Sequence, residues 1–175
     1  MNRERVGRQL MLVEQTLTAA RRHGVPLWLR GGWAMDFFLG EVTRDHGDID
    51  WFARAEDAAS LAGLLAGLGH TPVPGPPPDL QLDLVKDGLD SSFTLVDRDA
   101  AGRVVVAGGP WAGTPWPDGL LDAEPGRIGD VEAPIVSPPA QIEIKRMMPV
   151  WDPSRPRRAK DAEDVARLEA ALKLR

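Results

Sequence analysis

Residues 48–53, Asp-Ile-Asp-Trp-Phe-Ala, alternate acidic with apolar side chains. A period of two is the signature of a β-strand. It places Asp48 and Asp50 on one face and Ile49 and Trp51 on the other, directed into a core. The two acidic Cα atoms should lie roughly 6 to 7 Å apart, close enough for their carboxylates to converge on a shared cation. This strand dictates a sheet with one buried face and one face free for chemistry.

The rest of the chain supplies partners for that sheet. Val6, Leu10, Val13 and Leu17 recur at helical spacing, so residues 3–22 read as an amphipathic helix stopped by Gly24 and Pro26. Leu27–Leu29 reads as a short strand, residues 33–39 as a short helix ended by Gly40, and 56–68 as a second amphipathic helix closed by Gly69. Residues 71–78 hold five prolines and are expected to lack regular structure. Residues 80–85, 89–96 and 103–107 read as an antiparallel meander, with Asp87-Gly88 as the hairpin signal between the first two. Residues 108–134 show no period. Helices are expected over 138–148 and 160–172. The order indicates an α+β domain, a small mixed sheet flanked by helices, with residues 1–137 as its main part and 138–175 as a C-terminal helical segment of the same unit.

Composition closes off several function classes. The chain has 175 residues with no cysteine, so disulfides, thiolate catalysis and zinc–thiolate sites are excluded. The formal charge of -5 argues against a basic nucleic-acid-binding surface and favours a neutral or cationic partner. No segment has the roughly 20 apolar residues of a membrane helix, and the N-terminus leads into no signal-peptide core. A cytoplasmic protein is expected, with its oligomeric state open.

The chemistry concentrates between Leu27 and Phe52. Paired carboxylates on a strand offer the hard oxygen ligands that magnesium takes. Gly31-Gly32 lies between a strand and a helix start, where missing Cβ atoms and free N–H groups can receive a phosphate. Arg44 and His46, just before the acids, could add donors to a polyphosphate, and Lys145 or Arg146 on the late helix could reach the same group.

Gly31-Gly32-Trp33, Asp36 and Thr43-Arg44-x-His46-x-Asp48-x-Asp50 together resemble the small antibiotic nucleotidyltransferases of the DNA polymerase beta superfamily. The likeness is to aminoglycoside 2''-adenylyltransferases and short lincosamide nucleotidyltransferases, and it is specific across residues 25–52. Beyond residue 100 it reduces to a C-terminal helix containing Asp161 and Asp164. The resemblance implies a nucleotidyltransferase fold and two magnesium ions on Asp48, Asp50 and a third carboxylate. Asp90 matches that third place, with Asp83 as its rival. Gly31, Gly32 and Arg44 would orient the phosphates of ATP, and Asp90 would complete a metal site or accept the proton of the attacking hydroxyl. The implied reaction moves AMP onto a hydroxyl of a small acceptor, an aminoglycoside, and releases pyrophosphate. Alternatives are a lincosamide acceptor, with Trp111, Trp116 and Trp151 as apolar walls, and a nucleotide-binding regulator without turnover. Ser91-Ser92 after Asp90, and Arg30 before the Gly-Gly, depart from the pattern.

Overall fold

A computed structural model describes residues 1–174. Helix α1 spans Arg3–Arg22, capped by the Asn2 side chain accepting from the Arg5 N–H at 3.1 Å. Its stripe of Val6, Leu12, Val13, Leu17 and Ala20 is buried. Strand β1 (Leu27–Leu29) leads into α2 (Gly31–Leu39), which ends on Gly40 in the left-handed conformation that lets its N–H reach the Asp36 carbonyl. Strand β2 (Asp48–Arg54) buries Ile49 and Trp51 as the alternation predicts, and α3 (Ala58–Gly67) follows after a single 3-10 turn.

Strands β3 (Thr71–Pro72), β4 (Gln81–Lys86), β5 (Leu89–Arg98) and β6 (Val104–Val106) complete a six-stranded sheet ordered β1-β2-β5-β4-β3, with β6 on β5. Asp87 and Gly88 both have positive φ, 51° and 72°, as the tight turn between β4 and β5 requires. Two expectations are corrected here. Thr71 and Pro72 pair antiparallel with Val85 and Leu84, so the proline-rich segment opens as an edge strand, where a missing N–H costs no ladder bond. Residues 108–134 also contain structure: β7 (Gly126–Ile128) and β8 (Val131–Ala133) form a hairpin whose three-residue strands are too short to show a period.

Two connections position the site. Strand β2 runs parallel to β5 with Asp48 opposite Asp90 and Asp50 opposite Ser92, so these four side chains share a face. The segment after β8 runs beside β1, with Leu29 N–H donating to the Pro134 carbonyl and Val136 N–H to the Leu29 carbonyl, both at 2.8 Å. It delivers α4 (Pro138–Trp151) and then α5 (Ala159–Leu172) across that face. Ser137 caps α4, and Pro149 sits in its last turns, where its missing N–H leaves the Lys145 carbonyl without the usual helical donor. One core binds the layers: Val13, Leu29, Trp33, Ile49, Trp51, Phe93 and, from α5, Leu168 are each at most 1% exposed. Each such apolar side chain contributes roughly 1.5–3 kcal/mol by leaving water. No helix among the described residues is long and apolar enough to cross a membrane.

Candidate active site

Two adjoining cavities open on the acidic face. The larger, about 480 Å³, is lined by Arg30, Asp48, Asp50, Ser92, Thr94 and Gln141 among others. The smaller, about 100 Å³, lies over the start of α2 and is lined by Gly31, Gly32, Arg44, His46 and Lys145, sharing Asp48 and Asp50 with the first. Gly31, Gly32, Arg44, His46, Asp48, Asp50 and Lys145 thus lie together where the cavities adjoin, while Asp90 lines neither.

The side-chain carboxylates of Asp48 and Asp50 accept no hydrogen bond and have no cationic group within 4 Å among the described residues. Burial pushes the Asp50 carboxyl up, and the charge of Asp48 adds to that, against the pull of Arg30. A partly buried carboxylate without a donor is anomalous for a structural residue, because such groups are normally satisfied. Asp50 is that case and Asp48 beside it is exposed; two unpartnered carboxylates side by side are hard oxygen donors that fit magnesium. Asp90 flanks Asp48 on the neighbouring strand and is exposed, whereas no three carboxylates or imidazoles among the described residues gather into a metal-holding cluster. The three acids therefore form a face rather than a closed cage. Asp83 lies one strand further out, opposite Ser92, and accepts from Gln81 Nε2 at 2.7 Å.

The glycines make room for these side chains. Gly31 has φ of +65°, and a Cβ there would sit 2.8 Å from Asp50 Oδ2. At Gly32 a Cβ would lie 2.5 Å from the His46 ring and 2.8 Å from a terminal nitrogen of Arg44. No side chain caps α2, so its first N–H groups remain available at a positive helix end.

The remaining residues of the motif form a buried network. Asp36, fully buried, accepts from Thr43 N–H at 3.1 Å and Thr43 Oγ1 at 2.7 Å, and pairs with His46 Nε2 at 2.6 Å. Arg44 meets His46 Nδ1 at 3.1 Å and Asp164 at 2.9 Å. Both ring nitrogens of His46 are engaged, so here it bears on the cavity through Arg44. Lys145 pairs with Asp164 at 2.8 Å and Asp161 at 3.8 Å, and Arg158 donates twice to Asp161, at 2.8 and 2.9 Å. Burial alone would raise the Asp164 carboxyl, yet hydrogen bonds and charge from Arg44 and Lys145 outweigh it and hold it below the usual range. Arg146 instead pairs with Glu169 on the outer face of α4.

Sequence reasoning missed the walls. Ser92 and Thr94 follow Asp90 at strand period and could have been placed on its face. Gln141, Arg155 and Arg158 carry no comparable signal. Trp111, Trp116 and Trp151 do not line the larger cavity, whose apolar wall comes from Val136, Ile144, Met148, Pro149 and Pro156. Trp116 packs edge-on to Phe52 at 5.1 Å.

The fold and part of the sequence are similar to those of known proteins. The sequence model of the aminoglycoside-2''-adenylyltransferase family matches residues 12–76. A 2''-aminoglycoside nucleotidyltransferase of Klebsiella pneumoniae is 44% identical over 61 residues, 35% of this chain and 34% of that protein. One of Escherichia coli is 43% identical over 61 residues, with the same shares. The match thus spans about a third of the length of these curated relatives. In structure the chain is similar to the antibiotic-resistance factor ANT(2'')-Ia, with a TM-score of 0.75 at 23% identity, covering 95% of this chain and 85% of that one. It is also similar to the lincomycin-bound lincosamide antibiotic adenylyltransferase LnuA, with a TM-score of 0.69 at 18% identity, covering 89% and 92%. The chain has the fold of the small antibiotic nucleotidyltransferases, and its residues 12–76 resemble the aminoglycoside-2''-adenylyltransferases in sequence.

Proposed function

We propose that the protein is a magnesium-dependent nucleotidyltransferase that moves AMP from ATP onto a hydroxyl of an aminoglycoside and releases pyrophosphate, in the cytoplasm where ATP is supplied. The observation that carries this reading is the donor-free Asp48–Asp50 pair beside the uncapped glycine start of α2. Magnesium ions held by Asp48 and Asp50, with Asp90 completing the set, would neutralise charge on the triphosphate. The N–H groups of Gly31 and Gly32 and the guanidinium of Arg44 orient the β- and γ-phosphates, and Lys145 adds a cation from α4. Asp90, exposed beside Asp48, accepts the proton of the attacking hydroxyl. Residues 1–137 supply the acids and the glycine turn, and 138–175 close over them as part of the same unit.

The family match ends at residue 76 and covers the donor half of the site. Support for a cationic acceptor comes from that likeness, from the net charge of -5, and from exposed Asp90 opposite Asp48 on the neighbouring strand. The decisive assay incubates the protein with magnesium, each nucleoside triphosphate and a panel of aminoglycosides and lincosamides, following pyrophosphate. Release with ATP and an aminoglycoside is expected. Magnesium-dependent binding of a nonhydrolysable triphosphate without turnover on any acceptor would replace the enzyme by a nucleotide-binding regulator. Asp90→Asn should abolish turnover while Asp83→Asn retains it, and the reverse pattern would transfer the third acid to β4.

A further inference from the structure

We infer that Arg30 is a further catalytic residue, whose guanidinium donates to a non-bridging oxygen of the α-phosphoryl group; this rests on the nucleotidyltransferase reading above. The backbone N–H of Arg30 donates to the Asp50 carbonyl at 2.9 Å, so Arg30 stands directly across from Asp50 on the chemical face of the sheet. Its guanidinium is clamped. Its Cζ lies 4.5 Å from the centre of the Phe52 ring and 5.7 Å from that of Trp116. Its Nη1 donates to Thr94 Oγ1 at 2.7 Å. Thr94 Oγ1 in turn donates a hydrogen bond to Gln81 Oε1 at 2.9 Å, and Gln81 Nε2 donates to Asp83 at 2.7 Å. The relay runs in one direction, from a cation to a carboxylate three residues removed, and each member is committed by the next.

Arg30 spends one of its five N–H groups on this clamp. The other cations lining the larger cavity all have carboxylates: Lys145 has Asp164 and Asp161, Arg155 has Asp152, and Arg158 has Asp161. Among the described residues Arg30 has none within 4 Å. A half-buried cation with spare donors in a cavity is suited to take an anion from a ligand. With β- and γ-phosphates drawn to the start of α2 and metal on Asp48 and Asp50, the nucleotide oxygen nearest Arg30 belongs to the α-phosphoryl group. In the transfer, the acceptor oxygen forms a bond to the α-phosphorus and its proton passes to Asp90. The bond from the α-phosphorus to the oxygen bridging to the β-phosphate breaks, and its electron pair leaves with pyrophosphate. Arg30 keeps its proton throughout. A planar fork fixed by two rings and a threonine is already oriented toward charge that grows during attack, which is when such donors accelerate a reaction.

The test uses the two diastereomers of adenosine 5'-O-(1-thiotriphosphate), in which sulfur replaces one or the other α-oxygen, beside ATP. Arg30→Lys keeps the charge and loses the fork. It should lower kcat on ATP by about a hundredfold, leave KM for ATP within a few-fold, and change the rate ratio of the two diastereomers at least about tenfold. Thr94→Val unclamps the guanidinium without removing it and should shift the same ratio in the same direction by less. Arg30→Lys with wild-type kcat and ratio would make Arg30 a plain structural clamp and overturn the assignment. An effect confined to the acceptor KM would overturn it in favour of acceptor recognition. Wild-type protein that transfers nothing to any acceptor would overturn the nucleotidyltransferase reading and this inference with it.

Discussion

Two pairs of aspartates lie at or behind one cavity system and are treated in opposite ways. Asp161 and Asp164, on α5, are saturated: Arg44, Lys145 and Arg158 surround them at 2.8 to 3.8 Å. The carboxylates of Asp48 and Asp50, on β2, accept nothing from the protein among the described residues, and Asp50 is held above the usual carboxylate range by burial. The fold satisfies the first pair with cations and leaves the second without a donor, and the proposed magnesium site rests on that difference. The scaffold pair still serves the site, because it aims Arg44 and Lys145 at the small cavity.

The sharpest way to break this contrast is to neutralise one acid of each pair. Asp50→Asn should cost at least about a thousandfold in turnover, equivalent to about 4 kcal/mol of transition-state stabilisation. Thermal unfolding should show an unchanged or higher Tm, since the substitution relieves repulsion from Asp48 and the burial of a charge. A variant that turns over normally, or one that unfolds, would erase the distinction between the pairs.

Asp164→Asn should behave in the opposite way. The Asp164 side chain is 2% exposed, and its loss strands Arg44 and Lys145 with no common counter-charge. Breaking a buried pair of this kind costs about 3 kcal/mol. Chemical denaturation should reveal that loss, with a weaker grip on triphosphate as a secondary effect. If Asp164→Asn is as stable as wild type, the network is surface decoration.

Which parts of this contrast were legible beforehand follows from distance along the chain. The β2 alternation, the glycine turn and the helix boundaries are local patterns, and the structure reproduces them with helix ends shifted by up to three residues, α2 starting at Gly31 and α4 running on to Trp151. Asp161 and Asp164 could be seen on a helix, but the pairing of Asp164 with Arg44 spans 120 residues and leaves no mark in either segment. Arg30 stood out only as a departure from a motif. Its meaning depends on Phe52, Thr94 and Trp116, which the β2–β5 pairing and the coil before β7 bring to it. Gly32 was read as space for phosphate, and the structure shows that its missing Cβ first makes space for His46 and Arg44.

That last point yields a smaller test. Gly32→Ala inserts a methyl group 2.5 Å from the His46 ring, so the ring and Arg44 must shift. Overpacking of this size costs about 1–2 kcal/mol. Calorimetric titration with a nonhydrolysable triphosphate should show weaker binding, because Arg44 is displaced from the small cavity. Unchanged affinity would mean that Arg44 does not hold the phosphates.

The smallest expected effect is in the acid dependence of stability, and it separates the two pairs without any assay of activity. Asp164 is held below the ordinary carboxylate range once its hydrogen bonds from Arg44 and Lys145 overcome the effect of burial. A carboxyl depressed in the folded state binds protons less tightly there than in the unfolded chain, so it contributes stability at pH values above the unfolded value, about 3.9 for aspartate. That contribution disappears as pH falls through the folded value. Asp50 has the opposite sign: its carboxyl is raised by burial, so its ionisation costs stability near neutrality and protonation on acidification removes the cost. Tm measured from pH 7 downward should therefore show Asp164→Asn below wild type near neutrality, with the gap closing below about pH 4. Asp50→Asn should lie level with or above wild type near neutrality, and wild type should approach it as the pH falls. Parallel curves for Asp164→Asn and wild type across that range would show that the Asp164 carboxylate is not held by its two cations, and the contrast between satisfied and unsatisfied acids would lose its physical basis.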